Sequence, residues 1–343
     1  NVLDENLSAW LDASIGDGHI EEAAFLWRGA LRRDAAPQRT VQLAFNVTDT
    51  YLEYHPDWPP ATLKSGIVLI NDTRVSVWSD NATLFDSTAS RLSVETWLNA
   101  DKKVTLAVSG AIRGPAADGL AVLNESPLTA LVGGAFSGWT ASGELQTDED
   151  LELVIGKGAP PPVVDVQTRW LDVDLDVMPG KLPVKSVDGE FAYSSARGFE
   201  LKGLAAELWG QIVSADLSQR HAVDGYDPAT SVVELELAAL ADMDDVRSWL
   251  QLEPLAFIDG QASATVGIRL EPGRSPVLTV DSDLLGVSLD LPDPWRKASG
   301  EAVAMHLEMP LAKEGGPLSI RLGEALELAL DLEAGSLRGA ALG

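Results

Sequence analysis

The sequence predicts a mainly β protein, in which an elongated and twisted antiparallel β-sheet forms a groove and a few short helices accompany it. Three observations lead to this prediction. Apolar and polar residues alternate along many segments, as they do in strands with one apolar and one solvated face. Glycine, asparagine, aspartate and proline residues separate these segments, which is typical of turns. Short segments of helical spacing recur about every 120 residues, which indicates a large repeat.

The alternation predicts the strands. In each alternating segment, apolar residues occupy every second position and polar or acidic residues stand between them. The clearest segments are 41–47, 151–153, 171–177, 233–237, 287–291 and 326–332. Turn signals lie between them, for example at Asn71-Asp72, Arg197-Gly198 and Pro272-Gly273. Short strands joined by such turns favour antiparallel neighbours.

Three segments of helical spacing interrupt the strands. They cover residues 4–16, 126–134 and 242–254, with Asp4, Ser126 and Asp242 as the predicted N-caps. Their apolar residues are Leu7, Trp10, Leu11, Leu128, Leu131, Met243, Val246, Trp249 and Leu250. The spacing of their starts predicts one continuous groove built of three approximate repeats, 1–125, 126–241 and 242–343. Similar strand openings at Leu63–Gly66, Val187–Gly189 and Phe257–Gly260 support this division.

The composition limits the classes of partner and environment. The chain has 343 residues, with 25 Lys and Arg against 52 Asp and Glu, so its net charge is −27. Such a chain repels a phosphate backbone, and we expect no nucleic-acid partner. With 45% hydrophobic residues it is a folded protein. It contains no cysteine and no run of about 18 apolar residues. Because it starts at Asn1 without a leader, we expect a piece of a longer protein whose membrane anchor lies elsewhere.

No motif in the sequence predicts chemistry. Asp172, Asp174 and Asp176 have the spacing of a calcium loop, but Val177 stands where that loop needs glycine. They are therefore interpreted as the acidic face of a strand. The acidic residues 148–150 are interpreted as a turn. The four histidines form no metal-binding pair, and nucleophile elbows and phosphate-binding loops are missing. We therefore predict a non-enzyme with no catalytic residues, no metal and no cofactor.

The apolar side of the predicted sheet is the candidate functional surface. A repeat of strands that continues in one direction builds a long trough, whose apolar lining must be covered in water. Acyl chains would fill such a trough. The candidate lining residues are Leu43, Phe45, Val47, Leu153, Ile155, Leu171, Val173, Leu175, Leu235, Leu237, Leu289 and Leu291. A slip of one residue would reverse any of these assignments.

Three segments resemble a known family. Tyr54-His-Pro-Asp-Trp58-Pro59 is similar to the Y-x-P-x-W-P step of the YhdP branch of AsmA-like proteins. Trp10–Gly18, which leads to Phe25–Gly29, resembles an earlier step of the same branch. Ser282–Lys297 resembles its S-D-L-x-G-x-x-x-x-L-P-x-P-x-x-K stretch, although Trp295 stands where smaller residues often occur. The resemblance covers nearly the whole chain, and its motifs are structural, not catalytic.

The resemblance implies a segment of a lipid-transfer protein in the periplasm of a Gram-negative bacterium. The full-length protein would be anchored in the inner membrane and contact components of both membranes at its ends. Its β-groove would carry phospholipid acyl chains from the inner to the outer membrane while the head groups stay hydrated.

Two alternatives remain open from the residues alone. The acidic sheet could serve as a structural or assembly scaffold of the cell envelope that conducts no lipid. A secreted enzyme that acts on polysaccharide would need carboxylates clustered on one face, whereas here they are spread along nearly every strand.

Overall fold

The computed structural model confirms a mainly β protein with antiparallel strands and a few short helices. It describes residues 9, 12–29, 40–131, 136–156, 158–177, 182–221, 227, 230–250, 256–293, 296–311, 317–323, 326–333 and 336–342. None of the helices within these ranges is long and apolar enough to cross a membrane.

The described strands and helices follow one another along the chain. The strands are β1 (His19–Arg28), β2 (Thr40–Leu52), β3 (Ala61–Asn71), β4 (Arg74–Leu84), β5 (Ser87–Leu98), β6 (Val104–Pro115), β7 (Thr140–Val154), β8 (Val163–Val177), β9 (Leu182–Ser194), β10 (Gly198–Leu208), β11 (Gln211–Arg220), β12 (Val232–Asp242), β13 (Ile258–Leu270), β14 (Val277–Ser282), β15 (Val287–Leu289), β16 (Met305–Pro310), β17 (Pro317–Leu322), β18 (Leu326–Glu333) and β19 (Ser336–Leu342). The helices are α1 (Ala116–Glu125), α2 (Leu128–Leu131) and α3 (Met243–Leu250).

The chain forms two compact units. Unit 1 consists of Asn1–Pro127, Glu144–Thr168 and Ala192–Ser195, and unit 2 of Leu128–Gly143, Arg169–Phe191 and Ala196–Gly343. In unit 1, each strand from β1 to β7 pairs antiparallel with the next one. In unit 2, β10 to β14 pair in the same way, β16 pairs with β14, and the series continues to β19. The division into three sequence repeats stays a prediction.

The turns form at the positions that the sequence predicts. Asp72, in the turn between β3 and β4, has a φ of 52°, and its Oδ1 accepts the backbone N–H of Val41 at 2.8 Å. Gly198 and Gly273 have φ values of 80° and 70°, which glycine adopts at little cost. Each turn therefore contains a residue suited to a left-handed backbone.

The helices agree only in part with the sequence prediction. Asp242 caps α3 as predicted, because its Oδ1 accepts the N–H of Asp244 at 2.8 Å. Of the first predicted helix, Ala9 and residues 12–14 are helical. Asp4, Leu7, Trp10, Leu11, Gly133-Gly134 and Pro254 lie outside the described residues.

The sequence prediction missed α1 entirely. This helix follows directly after Pro115 at the end of β6, and the predicted cap Ser126 comes after it, before the single turn of α2. Tertiary contacts explain the helix: the buried carboxylate of Asp118 accepts the hydroxyl of Ser87 at 2.5 Å and the N–H of Asp86 at 3.0 Å. These contacts of Asp118, and not an apolar helical periodicity, therefore determine the position of α1.

Left-handed residues that are not glycine bend several strands. Arg91, in β5, has a φ of 52° at a shift in register, and its N–H is accepted by Asp80 Oδ1 of β4 at 3.2 Å. In unit 2, Asp172 and Ser186 have a φ of 48°, and their N–H groups are accepted by carboxylates of the facing strand. A bulge such as the one at Arg91 bends a strand and increases its twist.

Three strand glycines allow close approach of the next strand. They are Gly66, Gly189 and Gly260, which stand at matching places in the three similar strand openings. A Cβ atom added at Gly260 would lie 2.2 Å from the carbonyl oxygen of Gly286, and one at Gly189 would lie 2.7 Å from Leu204 Cα. At Gly66 the corresponding distance to the carbonyl oxygen of Trp78 is 3.1 Å. A side chain at any of these positions would push the neighbouring strand away.

Candidate functional site

The strand register of unit 1 aligns apolar residues in rows across the sheet. Residues directly opposite each other in paired strands point to the same face. One row runs through Phe45, Val68, Val77, Val94, Val108 and Leu151, one residue from each strand β2 to β7. A second runs through Leu43, Ile70, Val75, Thr96, Leu106 and Leu153. One face of unit 1 is therefore apolar across six strands.

A trough of about 530 Å³ lies on this face. We call it the unit 1 trough. Its lining residues are Asp12, Ser14, Ile15, Gly16, Gly18, His19, Ile20, Phe45, Val47, Thr50, Leu52, Tyr54, Ala61, Leu63, Val68, Ile70, Val75, Val77, Ala82, Thr83, Leu84, Ala89, Leu92, Val94, Val108, Ile112 and Glu149. Its volume falls within the range of about 300–1,000 Å³ that is typical of small-ligand sites. The trough is therefore large enough for an apolar ligand.

The sheet of unit 1 curls around this trough. Tyr54 follows β2 and Glu149 lies on β7, yet both line the same trough. Strands five steps apart in a flat sheet are separated by about 24 Å. The Glu149 carboxylate nevertheless contributes to raising the pKa of the Tyr54 hydroxyl, after the larger effect of burial. The bulge at Arg91 and the register shifts of β3 account for this curvature.

Two polar groups stand on the apolar face of unit 1. Thr96 is buried between Val75 and Leu106, and its hydroxyl has no hydrogen-bond partner among the described residues. Glu149 lies one inward position from Leu151. Burial raises the pKa of its carboxyl to about 7, and the charge of Asp150 adds to the shift. Near neutral pH, Glu149 is therefore present in part as the uncharged acid.

The opposite face of unit 1 carries ion pairs. Arg91 binds Asp148 with an N–O distance of 2.7 Å, and Arg113 binds Glu144 at 2.8 Å. The hydrogen bond from Arg113, followed by one from Gln146, lowers the pKa of Glu144. These pairs are exposed, so they contribute little to stability. The outer face is solvated, as the alternation predicts.

Unit 2 has apolar rows of the same kind. One runs through Ala215, Leu237, Val266, Val280, Leu307, Ile320 and Leu328, across seven strands. Another runs through Leu217, Leu235, Ile268, Leu278 and Met309. Trp249 of α3 packs against the clusters around Leu278 and Leu208. The helix therefore covers part of this apolar face.

Unit 2 also has a cavity, of about 830 Å³. Charged side chains form part of its lining: His306 Nδ1 lies 2.7 Å from Asp281 Oδ1, and Arg321 lines the same cavity. Over the ranges that the structure describes, no group of three or more histidine or acidic residues is placed to hold a metal ion. The arrangement is a network of surface charges.

The predicted lining residues differ in burial. Val47, Leu153, Val173 and Leu175 are buried, and the half-buried ones are Leu43, Phe45, Ile155, Leu171, Leu235, Leu237, Leu289 and Leu291. Phe45 and Val47 line the unit 1 trough. Leu43 and Leu153 share its second row, and Leu235 and Leu237 lie in the rows of unit 2. Leu289 packs with Leu284 and Val287 at the β15 hairpin. That lipid contacts these residues stays a prediction.

The sequence analysis missed part of this surface. Val68, Val77, Val94 and Val108 belong to the same row as Phe45, and the alternation of β3 to β6 could have found them. The interpretation of residues 148–150 as a turn is wrong, because they lie in the middle of β7. Three consecutive acidic residues suggested a turn, so no strand was predicted there. In the structure, Glu149 points inward.

Comparison with known proteins gives two matches. The family model described as YhdP protein matches residues 1–342. The chain is similar to "Intermembrane phospholipid transporter YhdP" of Escherichia coli (strain K12), with 24% identity over 331 residues. The match covers 90% of this chain and 24% of that relative, so the chain spans about a quarter of the relative's length. No solved structure matches the chain.

Proposed function

The chain belongs to the YhdP family, and from this premise we propose that it is a segment of a bridge-like lipid-transfer protein. Its apolar trough would hold phospholipid acyl chains, and the hydrated head groups would remain at the solvent. The observation that carries the proposal is the set of apolar rows that line the unit 1 trough across six strands.

The chemistry of the trough supports an acyl chain as its ligand. Such chains gain free energy by leaving water in proportion to the apolar area that becomes buried, without needing directional partners. The rows offer valine, leucine, isoleucine and phenylalanine side chains, with few polar atoms. The relative's printed name describes transport of phospholipid between membranes, which fits the same ligand.

The wider setting belongs to the same proposal. We place the protein in the periplasm of a Gram-negative bacterium, with an inner-membrane anchor on the full-length chain and membrane components at both ends. It would act without catalysis, since conduction along a trough breaks no covalent bond.

Purification of the chain without detergent tests the proposal. Native mass spectrometry followed by lipid extraction should find phospholipid bound to the folded chain. The variant Val94→Asp puts a charge into the trough. It should lose most of that lipid while its circular dichroism stays unchanged. A wild-type chain that carries no lipid, even after incubation with phospholipid vesicles, would favour a scaffold of the cell envelope.

A further inference from the structure

An acidic side chain lies on the apolar wall of the unit 1 trough. Glu149 stands on β7 between the inward-facing residues Thr147 and Leu151, and it lines the trough. Its partner on β6 is Gly110. Gly110 contributes no side chain beside the carboxyl group, and Leu92 bounds this position, since a Cβ atom added at Gly110 would lie 3.6 Å from Leu92 Cα.

Among the described residues that line the trough, no cation balances this carboxyl. The titratable groups of the described lining are Asp12, His19, Tyr54 and Glu149, without lysine or arginine. The nearby arginines are engaged on the outer face, Arg91 with Asp148 and Arg113 with Glu144. The charge of Asp150 also acts on Glu149 and repels its ionised form.

The surroundings therefore favour the neutral acid. Burial raises the pKa of Glu149 to about 7. It also raises the pKa of the neighbouring Tyr54, so the phenol keeps its proton. A neutral carboxyl and a phenol are both hydrogen-bond donors, whereas an ionised carboxylate only accepts.

We infer that Glu149 forms a hydrogen-bonding site for the ester-linked glycerol region of a lipid whose acyl chains lie in the unit 1 trough. The inference rests on the proposed function. Ester carbonyls accept hydrogen bonds and cannot donate them, so they match the donor that the neutral acid supplies. The apolar rows that end at Leu151 and Leu153 of the same strand hold the chains.

This site makes lipid binding dependent on pH. When Glu149 ionises, it loses its donor and repels the lipid phosphate. Occupancy of the trough by an ester lipid therefore falls as the pH rises through the pKa of Glu149. The carboxyl thus distinguishes a glycerol ester from a plain alkyl chain.

The test compares two lipids at two pH values. The 343-residue chain is incubated with vesicles of ester-linked phosphatidylethanolamine or of its ether-linked analogue, at about pH 6 and about pH 8.5. Bound lipid is then counted by native mass spectrometry. At the lower pH we expect about fivefold more ester lipid than ether lipid, the effect of one net hydrogen bond. At the higher pH this preference disappears.

Three variants assign the effect to the site. Glu149→Gln keeps a donor and should keep the ester preference at both pH values. Glu149→Leu should bind both lipids equally. Glu152→Gln, on the exposed face of the same strand, should behave as wild type. Equal binding of both lipids by the wild-type chain at both pH values overturns the inference and leaves the proposed function standing. Absence of any bound lipid overturns both.

Discussion

The Nζ atom of Lys297 lies 2.7 Å from the backbone carbonyl oxygen of Val287, in a buried position. The same ammonium donates to the carbonyl oxygens of Leu284, at 2.8 Å, and Ala298. Burial lowers the pKa of Lys297, while the carboxylates of Glu301 and Asp283 act against the shift. Lys297 thus holds the β15 hairpin to the following segment, which explains why the motif that resembles the family ends in lysine.

Replacement of this lysine should destabilise the fold. Lys297→Met leaves buried carbonyl oxygens without a donor, and we expect a loss of about 2–3 kcal/mol in the free energy of unfolding. Chemical denaturation measures it. Lys202→Met, at an exposed position of β10, is the matched control and should change stability by less than about 0.5 kcal/mol. Equal effects of both substitutions would contradict the role of Lys297.

Glu149 should make stability depend on pH. Its pKa is raised from 4.5 to about 7 on folding, so the folded state binds its proton more tightly than the unfolded state. The associated stability is complete below pH 4.5 and is lost as the pH rises through about 7, by at most about 3 kcal/mol. Other carboxylates also titrate, so the measurement is the difference in unfolding free energy between wild type and Glu149→Gln. That difference should shift in favour of the variant at high pH; a constant difference would contradict the prediction.

A photo-crosslinker should report which face of β2 meets lipid. We expect benzoylphenylalanine at Phe45, which lines the unit 1 trough, to capture phospholipid from vesicles under irradiation. At Asn46, which is exposed on the other face and hydrogen-bonds Glu22, it should capture little. Mass spectrometry of the adduct identifies the lipid. Labelling of equal yield at both positions would refute the assignment of the faces. Val173 is a poorer site, because it has no exposed surface.

A charge in the rows of unit 2 should reduce lipid binding more than stability. Leu237→Glu adds a carboxylate to a half-buried position of the seven-strand row, whereas Ala238→Glu adds one to the exposed face of the same strand. We expect the first to reduce bound phospholipid about tenfold, as about 1.4 kcal/mol would, and the second to have no effect. Lipid counting and thermal denaturation give the two readouts. A large fall in the melting temperature of Leu237→Glu with lipid binding intact would argue for a closed core.

The alternation of the sequence predicts the strands well, because the side-chain period of two survives in every sheet with one solvated face. The three aspartates of β8 illustrate this: Asp172, Asp174 and Asp176 are exposed, and Val173 and Leu175 between them are buried. The cap of α3 at Asp242 was equally predictable, because an N-cap acts locally.

The features that curve the sheet could not be predicted. Arg91, Asp172 and Ser186 adopt a left-handed backbone, which is uncommon for residues other than glycine, and a carboxylate on the facing strand accepts the N–H of each one. Such a pairing can be recognised only when the register between the two strands is known. Glu149 was hidden for the same reason, since its acidic neighbours suggested a turn while the register turns its side chain inward.

The apolar rows run across the strands, so the length of a row depends on the number of strands that it crosses. Each strand adds one residue to a row and about 4.8 Å to its length, however many residues the strand or its loop contains. The row from Ala215 to Leu328 crosses seven strands, and its six steps amount to about 29 Å, close to the thickness of a bilayer's hydrocarbon core. An insertion within a loop leaves this distance unchanged, whereas the gain or loss of a single hairpin changes it by about 10 Å.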